Sequence, residues 1–83
     1  RAVEEYMDKY FKTMEFYYDV ALRCISQDPK GRDRYVHNFM DRTEVIAQVI
    51  VSDFTSEVED LQNFYNRREQ MIAELGGRYE EEQ

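Results

Sequence analysis

The chain has no tryptophan and only one cysteine, one histidine and one proline among its 83 residues. Each shortage removes a class of protein. One cysteine excludes an internal disulfide framework and suits a cytoplasmic or other reducing compartment. His37 and Cys24 stand alone and far apart, and Arg34 occupies the position three before His37, so neither a zinc set nor a Glu-x-x-His pair can be built. Three glycines are too few for a phosphate-cradling loop around Lys30-Gly31-Arg32. Long apolar runs are missing as well. The longest stretch without a charge, Val45 to Ser52, is far shorter than the roughly 20 residues of a membrane span. No segment has the signature of a signal peptide. Positive charge is in deficit, with 11 Lys and Arg against 18 Asp and Glu and a formal net charge of −7. That balance opposes general nucleic-acid binding, which needs phosphates neutralised by cations. The expectation is a chain with no cofactor, no metal and no membrane partner.

What is present is helical. Seven Tyr and five Phe supply much of the apolar surface. The only internal turn signal is Asp28-Pro29-Lys30-Gly31, where Pro disfavours helix before it and Gly permits left-handed geometry. Gly76-Gly77 forms a helix stop. One domain is expected over residues 1–77, followed by an acidic tail over 78–83. The opening at Arg1 rather than Met suits a trimmed piece of a longer chain. A domain of this size has a marginal core alone, and association is a common remedy.

At 100° per residue, the apolar positions of the first helix, from Val3 and Tyr6 through Met14 to Ile25, fall within an arc of about 160°. So wide an arc wants at least two neighbouring helices, since a two-stranded coiled coil uses a narrower seam. The opposite face holds the acid-first i,i+4 pairs Glu5–Lys9, Asp8–Lys12 and Asp19–Arg23. Phe16 and Val20 break that solvated face. After the turn, Val36, Phe54 and Ile72 share one angle, because 18 residues make five turns. This unbroken phase favours one helix over about 33–75. Ser56 with Glu59 resembles a capping box, so a break near 52–56 is the alternative.

The predicted fold is all-α: a long helical hairpin, with helices over about 2–27 and 33–75, forming an antiparallel helical-bundle dimer. The alternative is a three-helix bundle with helices near 2–26, 33–52 and 56–75. In the hairpin, residues 61–75 overhang by roughly 20–25 Å. Leu61, Phe64, Tyr65, Met71, Ile72 and Leu75 would then lack an intramolecular cover, and Leu61, Phe64, Tyr65, Ile72 and Leu75 would form an interface, with Arg68 snorkelling or pairing across it. Val45 and Val49 form a second apolar pair on the back of the later helix, level with Phe16 and Val20. Two such pairs at one height predict a side-to-side contact.

Catalytic signals are sparse. Arg32-Asp33-Arg34-Tyr35-Val36-His37 resembles the Arg-x4-His signature of the HEPN ribonucleases, including the polar residue after the Arg. The resemblance implies a metal-independent ribonuclease in which Arg32 binds an RNA phosphate and His37 moves protons at a dimer interface. In the hairpin register Glu4, Glu5, Asp8, Asp53, Glu57, Glu59 and Asp60 collect at the open end, read as a solvated acidic end rather than a cation site. Cys24 falls in the apolar arc and reads as a buried structural thiol. The leading expectation is a non-enzymatic protein–protein interaction module, such as an adaptor, small regulator or chaperone-like assembly subunit, with a protein partner that is a second copy of the chain. The alternatives are the ribonuclease and an acidic decoy that occupies a nucleic-acid-binding protein.

Overall fold

The computed structural model describes residues 2–53 and 58–76, with side chains placed for 5–53 and 59–76. Three α-helices follow one another: α1 (Ala2–Gln27), α2 (Arg32–Asp53) and α3 (Val58–Leu75). One turn of 3-10 helix, Pro29–Gly31, joins the first two. The described residues contain no strand.

The turn between α1 and α2 is built around Asp28. Its carboxylate accepts a 2.9 Å hydrogen bond from the Tyr35 hydroxyl and a 3.4 Å bond from Arg34. Gly31 is needed there for space rather than for a left-handed backbone, since its φ lies outside that region. A Cβ on Gly31 would stand 2.8 Å from both the Asp28 carboxylate and the Tyr35 ring. At the far end, the Gly76 amide donates to the Ile72 carbonyl at 2.8 Å. A Cβ on Gly76 would approach that oxygen to 2.9 Å. Gly77 and the acidic tail lie outside the described residues.

α1 and α2 run antiparallel, with Tyr18 edge-on to Phe39 at 6.3 Å. α3 runs parallel to α1, pairing Phe64 with Phe11 at 5.4 Å and Glu74 with the Tyr18 hydroxyl at 2.7 Å. It runs antiparallel to α2, where Arg68 reaches Met40 and Thr43. The core is the shared strip Met7, Met14, Ala21, Phe39, Ile50 and Phe64, extended by Met71 and Leu75. The wide apolar arc of α1 therefore does meet two helices, both from its own chain.

A single helix over 33–75 is overturned. In it Met40 and Arg68 would stand about 42 Å apart, yet Arg68 Nη2 donates to the Met40 carbonyl at 3.1 Å. The longest dimension of the molecule is 41 Å, whereas that helix alone would need roughly 60–65 Å. The three-helix arrangement holds instead. Residues 54–57, with Phe54 and the expected cap at Ser56, lie outside the described residues. Energetics favour the fold. Interrupting a helix forfeits about four backbone bonds with a net worth of about 1 kcal/mol each, less whatever water or caps restore. Burying Phe64, Met71 and Leu75 contributes about 1.5–3 kcal/mol apiece, and partial burial of Leu61, Tyr65 and Ile72 adds to this.

Candidate interaction surface

Folding α3 back divides the residues expected at an interface into two groups. Phe64 is fully buried, Leu75 is 2% exposed and Arg68 8%. Leu61, Tyr65 and Ile72 are half-buried against the same core. None of the six is left uncovered, so the expected overhang does not exist. Phe16, Val45 and Val49 are different, at 61%, 65% and 40% exposed. Val20 is half-buried beside Phe16.

These four residues share one face, the outer side of the α1–α2 seam. Phe16 and Val20 wall a groove of about 300 Å³ floored by Ala21, Phe39 and Tyr35. Val45 walls a second hollow of about 220 Å³ with Thr13 and Ile46. Tyr17 and Arg42 line both, so the two hollows adjoin at that pair. The Arg42 guanidinium lies 5.5 Å from the centre of the Tyr17 ring, a cation–π contact. Its Nε also donates to the Asn38 side chain at 3.3 Å. Val49 follows Val45 by one turn on the same stripe.

The seam has its own polar fittings. Near its far end the Tyr10 hydroxyl donates to Tyr6 at 3.1 Å. That bond, with burial and the nearby Tyr6 and Asp53, raises the Tyr10 pKa to about 12. At the other end Arg34 lies 4.9 Å from the Tyr35 ring centre. Its hydrogen bond to the Tyr35 hydroxyl raises its pKa further above its usual value and keeps it a cation. Cys24 is half-buried along the groove rather than in the core, which corrects its reading as a buried thiol.

The seat of α3 is polar in another way. Arg68 Nε donates to Thr43 Oγ1 at 2.9 Å, while that hydroxyl donates to the Phe39 carbonyl at 2.7 Å. Glu44 pairs with the same guanidinium at 3.3 Å. A hollow of about 400 Å³ between α1 and α3 is spanned by the Arg67–Glu15 pair at 3.5 Å.

Arg32 and His37 are not brought together within one chain. Arg32 is already helical, with φ −48° and ψ −51°, so five residues of helix set the two side chains about 140° apart. Arg32 is half-buried and His37 is exposed. Among the described residues no three His, Cys, Asp or Glu side chains converge to hold a metal ion. Glu57 lies outside them. No described helix is long and apolar enough to cross a membrane.

Arg42 and Tyr17 escaped sequence reasoning as surface residues. The available signal was spacing: Asn38, Arg42, Val45 and Val49 recur at i+4, i+7 and i+11 on one stripe of α2. Against known protein families, curated proteins and solved structures, the chain finds no match.

Proposed function

We propose that the protein is a non-enzymatic helical interaction module that holds another protein against the outer face of α1 and α2. The observation that carries this reading is the exposure of Phe16 and Val45, at 61% and 65%, on adjoining hollows that both meet Tyr17 and Arg42. Elsewhere the apolar arcs of the helices are largely consumed by the core. Contiguous exposed apolar surface on a small domain marks an interface. Such a module would act as an adaptor, small regulator or assembly subunit, and its single thiol suits a reducing compartment. A second copy of the chain is one candidate for the bound protein.

A photo-crosslinking residue tests this when placed at Phe16 and, as a control, at His37 on another face. In cells the Phe16 probe should give discrete protein adducts that Val45→Asp removes. Adducts of equal yield from both positions, indifferent to Val45→Asp, would defeat the proposal. Light scattering on the purified chain reads whether a second copy occupies the face, and Val45→Asp should return any dimer to the monomer mass.

A further inference from the structure

We infer that two copies of the chain exchange α3 at high concentration, α2 and α3 of each becoming one straight helix that lies antiparallel to its copy. The exchange uses the α2–α3 seam and is independent of the outer face of α1 and α2.

The register of the two helices is the first observation. In α2, Val36, Met40, Thr43, Ala47 and Ile50 are buried or half-buried, at alternating steps of four and three residues. In α3, Leu61, Phe64, Arg68, Met71 and Leu75 repeat the pattern. Such alternation is the heptad seam of helices packed side by side. The two seams share one frame. Carried on from Ile50, the same steps pass through Phe54 and Glu57 and arrive at Leu61. Helices joined by a bend need no common frame, and a chance match of heptad frames occurs roughly one time in seven. One continuous helix requires the match. The link between Asp53 and Val58 contains neither Gly nor Pro to oppose helix.

A lone chain cannot straighten that helix without uncovering α3. A second copy removes the obstacle. Arg68 of α3 meets Met40, Thr43 and Glu44 of α2, and the midpoints of these pairs fall at residues 54 to 56. Two straight helices related by a two-fold axis at that level would remake each of these contacts between chains. Thr43 would still accept from Arg68, but from that of the copy. α1 suits the same axis. Its Tyr18 lies at Phe39 and its Tyr17 at Arg42, so Ala2 falls level with about residues 55–57. The two α1 helices would meet end to end there, each covering one half of the long pair. Exchange of this kind costs little beyond association, since the buried contacts are those of the monomer. One residue opposes it. Glu57 would take an inward position beside the axis, level with the copy's Phe54 and close to the copy's Glu57. That acid limits the exchange to high concentration. Val45 and Val49 lie outside the frame and stay exposed.

The test uses the full chain with spin labels on His37→Cys and Ala73→Cys in a Cys24→Ser background; His37 and Ala73 are exposed. The labelled chain is refolded from urea with an excess of unlabelled chain, from micromolar to millimolar concentration. Light scattering reads the mass and double electron–electron resonance reads the label separation. In the folded-back chain the labelled positions sit at one level on adjacent helices, roughly 10 Å apart at the backbone. Along one straight helix they are about 54 Å apart. The wild-type mass should double towards the upper concentrations, with the long separation appearing in the same proportion. Glu57→Leu should lower the concentration needed by about tenfold or more. Ser56→Pro is tolerated ahead of α3 but interrupts a helix through that position, so it should leave a monomer with the short separation. A wild-type chain that stays monomeric throughout overturns the inference, as does a dimer that keeps the short separation. So does a Ser56→Pro chain that dimerises as readily as wild type. A short-separation dimer dissolved by Val45→Asp would put the second copy on the outer face instead.

Discussion

Arg68 and Arg42 occupy neighbouring seams of one small bundle and are treated in opposite ways. Arg68 is enclosed where α3 meets α2, its donors taken by the Thr43 hydroxyl, the Met40 carbonyl and the Glu44 carboxylate. Arg42 lies exposed where α1 meets α2, resting on Tyr17 with one hydrogen bond to a surface amide. Around Arg68 the apolar neighbours are closed over, with Phe64 and Ile50 fully buried. Around Arg42 they stand open, with Phe16 and Val45 mostly in solvent. A buried guanidinium needs all its donors met, because an unmet charge in low dielectric is expensive. An exposed one is met by water and needs no such set of partners. The closed seam carries stability, and the open seam is the face proposed to bind.

The contrast would be broken most severely at Phe64. Phe64→Ala should cost about 3–5 kcal/mol, lowering the melting temperature by roughly 15 °C or more in a domain of this size. Thermal unfolding followed by circular dichroism reads it; a shift of only a few degrees would mean that α3 is not part of the core. Arg68→Ala should cost about 2–3 kcal/mol, since it leaves the Thr43 hydroxyl and its surroundings unfilled. Arg68→Met should recover part of that loss in urea titrations by restoring packing along the side-chain stem. Equal losses in the two variants would show that the polar contacts, not the packing, carry the effect. Tyr18→Phe removes the 2.7 Å bond to Glu74 and should cost about 1 kcal/mol. On the open seam, Phe16→Ser and Val45→Ser should each change stability by no more than about 0.5 kcal/mol while weakening partner binding. A large stability loss in either would place these residues in the fold instead of at an interface.

A pH titration sharpens the same seam. Tyr10 ionises near 12 in the fold and near its usual 10.0 when unfolded. Its folded pKa is the raised one, so its contribution to stability is fully present below pH 10 and is lost as pH climbs towards 12. Ultraviolet absorbance should show Tyr10 titrating late, and Tyr6→Phe should bring it back towards the ordinary range by removing the first cause of the shift. A Tyr10 that titrates normally in the native protein would deny the Tyr6–Tyr10 bond.

Much of the fold is legible in local pattern. The first helix, the Asp28–Gly31 turn and the stop after Leu75 lie where spacing and Pro/Gly chemistry put them. The need of α1 for two neighbours follows from its arc alone. The candidate face was half legible. Phe16, Val20, Val45 and Val49 stand out as apolar residues among charges, and they do share a face. Leu61, Phe64, Tyr65, Ile72 and Leu75 misled because apolar spacing reports that a stripe must be covered, not by which chain. Phase agreement among Val36, Phe54 and Ile72 misled for a related reason: two separate helices of one bundle can keep a common phase.

Sequence alone thus determined three things here: helical class, the stripe each helix must hide, and the four apolar residues that no stripe absorbs. Those follow from a 3.6-residue period that is written locally in the chain. Tertiary structure decided that α3 folds back onto α1 and α2, that Arg68 is enclosed rather than shared with a partner, and that Tyr17 and Arg42 line the open face. These depend on which distant positions meet across a seam. That is settled by the total surface hidden and the polar groups satisfied together, quantities that no single window of sequence contains.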